Sequence, residues 1–201
     1  MSVDFRGFPA CECLAAWLPV YERELRRRHI LGATEPLTIF QLIGNAPASH
    51  GIHAEGGAFD LLDLPGGSDL VLAREMGADA TWSRTPAQGF VPHIHGVLRG
   101  CPHNGPARYQ IDAVDDGFNG LGHLGHGGPD DGPRPLSGRT WQEGIDAMAT
   151  PKDWDAEDYA ALLENLAKPL AKTVWEYAIN NAGTKAKAAL ELLYRNVGTT
   201  P

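Results

Sequence analysis

The sequence predicts an α+β domain, in which short strands combine with flanking helices, and a short helical appendage at the C-terminus. Two observations predict this class. Apolar residues recur at helical spacing in some segments, and β-rich runs bounded by glycine and proline occur in others. A chain of 201 residues suits one main domain with a small addition. We place the domain at residues 1–150 and the appendage at 151–201, divided at Thr150-Pro151.

Helical patterns occur in several segments. The longest runs from Ala10 to Arg28, and Pro19 is expected to bend or split it because proline lacks an amide hydrogen. Shorter helices are predicted over residues 68–77, 107–114 and 140–148. Amphipathic patterns continue beyond Pro151, where about 50 residues make a marginal core on their own. This tail is therefore expected to dock on the domain or to form a homo-oligomer.

Three β-rich runs predict the strands. They are Leu37–Ile43, Ala58–Leu62 and Phe90–Leu98, and a polar loop is expected from Trp82 to Gly89. Alternation places His93 and His95 on one face of the third strand. Asp60 is then expected on a neighbouring strand, close to both histidines.

Charge and composition disfavour some classes of protein. A formal net charge of −8 gives little support to nucleic-acid binding, because phosphates would repel the chain. No stretch approaches the roughly 18 apolar residues of a membrane span, and the N-terminus has no signal-peptide pattern. Three cysteines cannot all pair within one chain, which favours synthesis in a reducing compartment.

A candidate zinc centre lies in two separate segments. His53 and Asp60 are seven residues apart, with the small residues Gly56 and Ala58 between them, and His95 can supply a third ligand. Two imidazoles and one carboxylate leave a fourth tetrahedral position for water, as in catalytic zinc sites. Taken alone, each residue would more often be structural; together they favour metal binding and amide hydrolysis.

His93 shares a strand face with His95 and need not bind the metal. It is predicted to act on the attacking water as general base or electrostatic stabiliser. His50 is expected to lie outside the ligand set. His123 and His126, in a glycine-rich loop, are expected to be solvated.

These two segments carry a family resemblance. His53–Asp60 resembles the HxxGxAxD signature of zinc D-Ala-D-Ala carboxypeptidases and related L-Ala-D-Glu peptidases, and His93-Ile94-His95 resembles their HxH element. That superfamily also contains lysostaphin-type peptidases and hedgehog domains, so the resemblance implies a small antiparallel sheet with flanking helices. Residues 73–82, 95–101 and 119–121 resemble peptidase domains of actinobacteriophage endolysins.

The substrate-binding candidates are Gln41, Trp82 and Arg84, with Trp82 equally suited to the core. Many carboxypeptidases grip a terminal carboxylate with an arginine in the strand before the first histidine ligand, where this chain has Gln41. This difference favours an endopeptidase. His93 also stands where many relatives carry an acidic base.

The resemblance implies a zinc-dependent peptidase that hydrolyses an amide bond in the stem peptide or cross-link of bacterial peptidoglycan. A phage endolysin would be made in the host cytoplasm without a signal peptide and act on the wall after release, and binding to the wall would then be a further role for residues 151–201. Two alternatives stay open: a non-catalytic zinc-containing binding module, and a virion-associated structural protein that opens the wall.

Cys11, Cys13, Cys101 and His103 could form a second, structural zinc site. Each pair is separated by one residue, whereas two to four is usual in such sites. Buried free thiols are also common. The spacing therefore favours free thiols.

Overall fold

The computed structural model describes residues 2–122 and 127–149. They fall within the first of the two units into which the chain divides, 1–150 and 151–201. The predicted C-terminal helices, with His123 and His126, lie outside the described residues. In the part that is described, no helix combines the length and apolarity needed to cross a membrane.

The described chain folds as an α+β domain with two antiparallel sheets, which confirms the predicted fold class. The strands are β1 (Ser2–Phe5), β2 (Phe8–Cys11), β3 (Ile39–Gln41), β4 (Ala58–Leu61), β5 (Ala80–Arg84) and β6 (His93–Val97). The helices are α1 (Glu12–Arg27), α2 (Ser68–Glu75), α3 (Arg108–Asp115) and α4 (Trp141–Ala149). Strands β1 and β2 form a hairpin, and the larger sheet has the order β3-β4-β6-β5.

Two local expectations were wrong, and one element was missed. The segment predicted as a polar loop from Trp82 forms the end of β5, where Trp82 is fully buried. The N-terminal hairpin was not anticipated. Pro19 does not split α1, because Pro19 is on the exposed side, whereas Trp17 and Tyr21 hold both halves of the helix in the core; a bend at Pro19 stays a prediction.

The two faces of the larger sheet have different roles. One face packs on α1, where the rings of Trp17 and Phe59 stack with centroids 5.2 Å apart. Gly96 lies opposite Phe59 in the sheet, and a Cβ at Gly96 would collide with the Phe59 ring. The other face carries Trp82 and the candidate ligands. A second apolar cluster, which includes residues of α3, packs on part of it.

A buried ion pair links α2 to the segment after residue 126. The guanidinium of Arg74 donates to both carboxylate oxygens of Asp130, at 3.1 and 2.9 Å, and the two side chains are 2% and 3% exposed. Asp130 also accepts a 2.7 Å hydrogen bond from Trp82 Nε1. This network holds the segment beside β5.

Candidate metal centre

The strand register brings the three predicted ligands together. Asp60 on β4 pairs directly with His95 on β6, and residues opposite each other in an antiparallel pair project from the same face. His53 reaches the same point from the loop before β4. Asp60 Oδ1 lies 2.8 Å from His95 Nδ1 and 3.2 Å from His53 Nε2. The three side chains therefore form one group that can hold a metal ion.

The outer nitrogen of each imidazole has its own hydrogen-bond acceptor. His53 Nδ1 lies 2.8 Å from the Leu42 carbonyl oxygen, which can only accept. His95 Nε2 lies 2.8 Å from Gln110 Oε1, and the Gln110 amide is oriented by donating to the Gly120 carbonyl at 3.1 Å. Both outer nitrogens therefore carry the proton. In the neutral tautomer that these contacts select, the inner nitrogens present lone pairs to Asp60.

The electrostatics of the group also favour a cation. Burial lowers the pKa of His95, so this imidazole is neutral at neutral pH. Two nitrogen lone pairs and one carboxylate oxygen then face each other at 2.8–3.2 Å. A bound cation relieves this repulsion, and the donor set suits a metal ion.

His93 lies beside this group and is oriented by its own contacts. Its Nδ1 is 2.6 Å from the Val91 carbonyl oxygen, so that nitrogen carries the proton. Its Nε2 is 3.6 Å from Asp60 Oδ1 and presents a lone pair toward the centre. Phe90 contacts the His93 ring edge-on, with centroids 5.9 Å apart. His50 is exposed and lies outside the three-residue group.

The centre lines a cavity of about 940 Å³, within the range of small-molecule and peptide sites. Its walls come from the loop before His53, residues 88–91, α3 and residues 120–122. Asp60, His93 and His95 all line it. A substrate in this cavity can therefore reach the candidate centre.

Two of the predicted substrate-binding residues line the same cavity. Gln41 Nε2 and Arg84 Nη2 are buried and have no hydrogen-bond partner among the described residues. Arg84 is only 2% exposed; its Nη1 donates to the Asn119 carbonyl at 3.1 Å. Burial lowers the pKa of Arg84 to about 10, which leaves it cationic at neutral pH. Unpaired buried donors in a cavity suit a ligand with carbonyl or carboxylate oxygens.

Trp82, the third substrate candidate, is in the core instead. It is fully buried, pairs with His95 across β5 and β6, and supports the guanidinium of Arg84, which lies 4.8 Å from its ring centroid. This placement matches the alternative core role, since Trp82 does not line the cavity.

Gln110 was missed at the sequence level. Its side chain is 5% exposed on α3, and its role depends on contacts with His95 and Gly120 that are distant in sequence. The one available signal was a polar residue next to Ile111 on the buried face of an amphipathic helix.

No family model, curated protein or solved structure matches this chain. The chemical character of the centre therefore rests on its own geometry. Two imidazoles and one carboxylate converge on one point, and a third imidazole lies beside them in a cavity.

Proposed function

We propose that the protein is a zinc-dependent peptidase that hydrolyses an amide bond in the stem peptide or cross-link of bacterial peptidoglycan. The observation that carries the proposal is the convergence of His53, Asp60 and His95 in the cavity, with His93 beside them. Two imidazoles and one carboxylate form a known ligand set of catalytic zinc, which keeps one position open. Zinc supplies Lewis acidity and activates water for attack on a carbonyl carbon.

His93 acts as the general base. Its Nε2 accepts a proton from the attacking water as the water oxygen bonds to the carbonyl carbon. It then returns that proton to the amide nitrogen as the C–N bond breaks, so the products are a carboxylate and an amine. The hydrogen bond to the Val91 carbonyl keeps the proton-accepting nitrogen directed at the centre.

Gln41 and Arg84 bind the substrate. Peptidoglycan stem peptides present amide carbonyls and free carboxylates, which suit the unpaired donors Gln41 Nε2 and Arg84 Nη2. The resemblance of residues 53–60 and 93–95 to wall-peptidase motifs supports this substrate class. The neutral side chain of Gln41 favours cleavage within a chain, so we propose an endopeptidase that acts as a phage endolysin after release from the host cytoplasm.

The proposal is tested with purified cell walls. We expect the zinc-loaded protein to reduce wall turbidity, a chelator to abolish this loss and added zinc to restore it. His95→Ala should be inactive but folded, whereas His50→Asn, a change at an exposed imidazole on the rim of the same cavity, should stay active. Mass spectrometry of the digest identifies the bond cleaved.

Full turbidity loss by the chelated protein would contradict the proposal. A non-catalytic binding module would sediment with the walls and leave turbidity unchanged in every variant. Release of single terminal residues would instead indicate a carboxypeptidase.

A further inference from the structure

A second group of ligand-type side chains lies outside the candidate centre. It contains Cys11, Cys13, Cys101 and His103, whose ligand atoms all lie within 4.8 Å of one another. The three cysteines are buried and free of disulfides. They come from two distant parts of the chain, the junction of β2 with α1 and the segment after β6.

The separations within this group match a tetrahedral site. Cys11 Sγ is 3.8 Å from Cys101 Sγ, and His103 Nδ1 is 3.6 Å from Cys13 Sγ and 3.7 Å from Cys101 Sγ. Zinc bonds of about 2.3 Å to sulfur and 2.0–2.1 Å to nitrogen, in tetrahedral geometry, separate the ligand atoms by about 3.5–3.8 Å. These three separations are therefore those of a zinc site, and the remaining three are within 4.8 Å.

The surroundings also suit metal-bound thiolates. The Gly57 amide donates to Cys11 Sγ at 3.3 Å, as expected of the hydrogen bonds that support metal ligands. Cys11 also immediately precedes α1, whose N-terminal dipole stabilises negative charge. Gly56 has φ +125°, and a Cβ there would lie 2.9 Å from Cys11 Cβ and 3.3 Å from His103 Cβ. The loop thus packs on the cluster only because glycine occupies this position.

We propose that Cys11, Cys13, Cys101 and His103 bind a structural zinc ion. Three sulfurs and one nitrogen complete the coordination, so no position is open for a substrate. The one-residue spacing of Cys11 and Cys13 disfavoured this site at the sequence level. In the fold, the chain turns from β2 into α1 between them, which brings both sulfurs to one point.

The second site supports the first through the loop that they share. Gly56 and Gly57 contact the cysteine cluster, and they lie between His53 and Asp60 in the sequence. Zinc in the cluster therefore fixes the loop that carries His53 and leads into β4, where Asp60 lies. It also joins the N-terminal hairpin to the segment after β6.

The test is metal content, measured by mass spectrometry on the full chain after dialysis against metal-free buffer. We expect two zinc ions per chain in the wild type, one in Cys101→Ser and one in His95→Ala. His103→Asn should lose one ion, whereas the matched change His29→Asn, at an exposed histidine, should lose none. If only the proposed catalytic centre fails to bind zinc, the wild type holds one ion that Cys101→Ser loses and His95→Ala keeps.

A second measurement does not depend on the folding of a cysteine variant. We expect a mercurial thiol reagent to release one zinc ion per three thiols modified from His95→Ala, as followed with a zinc-sensitive dye. Cobalt in the same protein should give a thiolate-to-metal charge-transfer band. Equal zinc contents of wild type and Cys101→Ser, or three thiols modified without zinc release, would overturn the proposal.

Discussion

His95 Nε2 and Gln110 Oε1 lie 2.8 Å apart, and this contact leaves the His95 Nδ1 lone pair directed at Asp60. Gln110→Leu removes the acceptor, so His95 loses its fixed tautomer and ring orientation. Loss of such a contact typically costs about 10–100-fold in metal affinity or activity. We expect a loss of that size in zinc affinity, measured by competition with a chromogenic chelator.

The matched control for this change is Gln142→Leu, at an exposed position on α4. It should leave zinc affinity unchanged. Equal affinities for Gln110→Leu and wild type would show that Gln110 does not orient the ligand.

His93→Ala should separate catalysis from metal binding. Because His93 is outside the three-residue group, we expect full zinc content at the centre. Removal of a general base lowers rates by about 10²–10⁴-fold, so kcat on a wall peptide should fall by this amount. His50→Asn is the control, and asparagine tolerates the left-handed backbone that His50 has at φ 47°. A kcat near that of wild type would remove His93 from the mechanism.

Arg84→Met should reduce substrate binding without loss of stability. Methionine loses the bond to Asn119 and the contact of the guanidinium with the Trp82 ring, but it also removes a buried charge and the unpaired donor Nη2, which offsets that loss. A charged hydrogen bond to substrate contributes about 1.5–3 kcal/mol, so KM should rise about 10–100-fold. Urea unfolding should give a free energy within about 1 kcal/mol of wild type.

Arg74→Met provides the contrast, since Arg74 is as buried as Arg84 but is paired with Asp130. Breaking a buried ion pair costs about 3–5 kcal/mol, and unfolding should show this loss. Comparable destabilisation by the two variants would mean that Arg84 has a structural partner after all.

Asp130 should make stability depend on pH. Burial raises its pKa, but hydrogen bonds from Arg74 and Trp82 outweigh that effect and leave the folded pKa below the unfolded value of about 3.9. The carboxylate therefore stabilises the fold above that pH, and the effect is lost as pH falls through the folded pKa. The difference in unfolding free energy between wild type and Asp130→Asn should be largest near pH 7 and narrow below about pH 4.

The control is Asp116→Asn, at an exposed carboxylate after α3. Its unfolding free energy should differ little from that of wild type over the same pH range. Urea unfolding at successive pH values measures the unfolding free energy of both variants and of wild type. A difference for Asp130→Asn that stays constant down to pH 2 would contradict this assignment.

The sequence predicted the parts of the fold and site that local spacing determines. His53, Asp60 and His95 could be located because alternation along strands and glycines in the preceding loop are local features. Strand β5 was missed because Ser83 and Arg84 gave its end a polar character, whereas the fold buries Arg84.

The remaining features depend on contacts between distant segments. Gln110 takes its role from Gly120 and His95, and Cys11 meets Cys101 across 90 residues of sequence. Periodicity and motif spacing do not predict such contacts, because the contacts form only once the elements pack.

The pairing of Phe59 with Gly96 links the core to the chemistry on the opposite face of the sheet. A slip of β4 by one residue against β6 would exchange the faces of Phe59 and Asp60 and remove the carboxylate from the cavity. The ring of Phe59, held over Gly96 and against Trp17, opposes this slip. Substitutions at Phe59 or Trp17 can therefore abolish metal binding although neither residue lines the cavity, and a screen for inactive variants will recover both kinds of position.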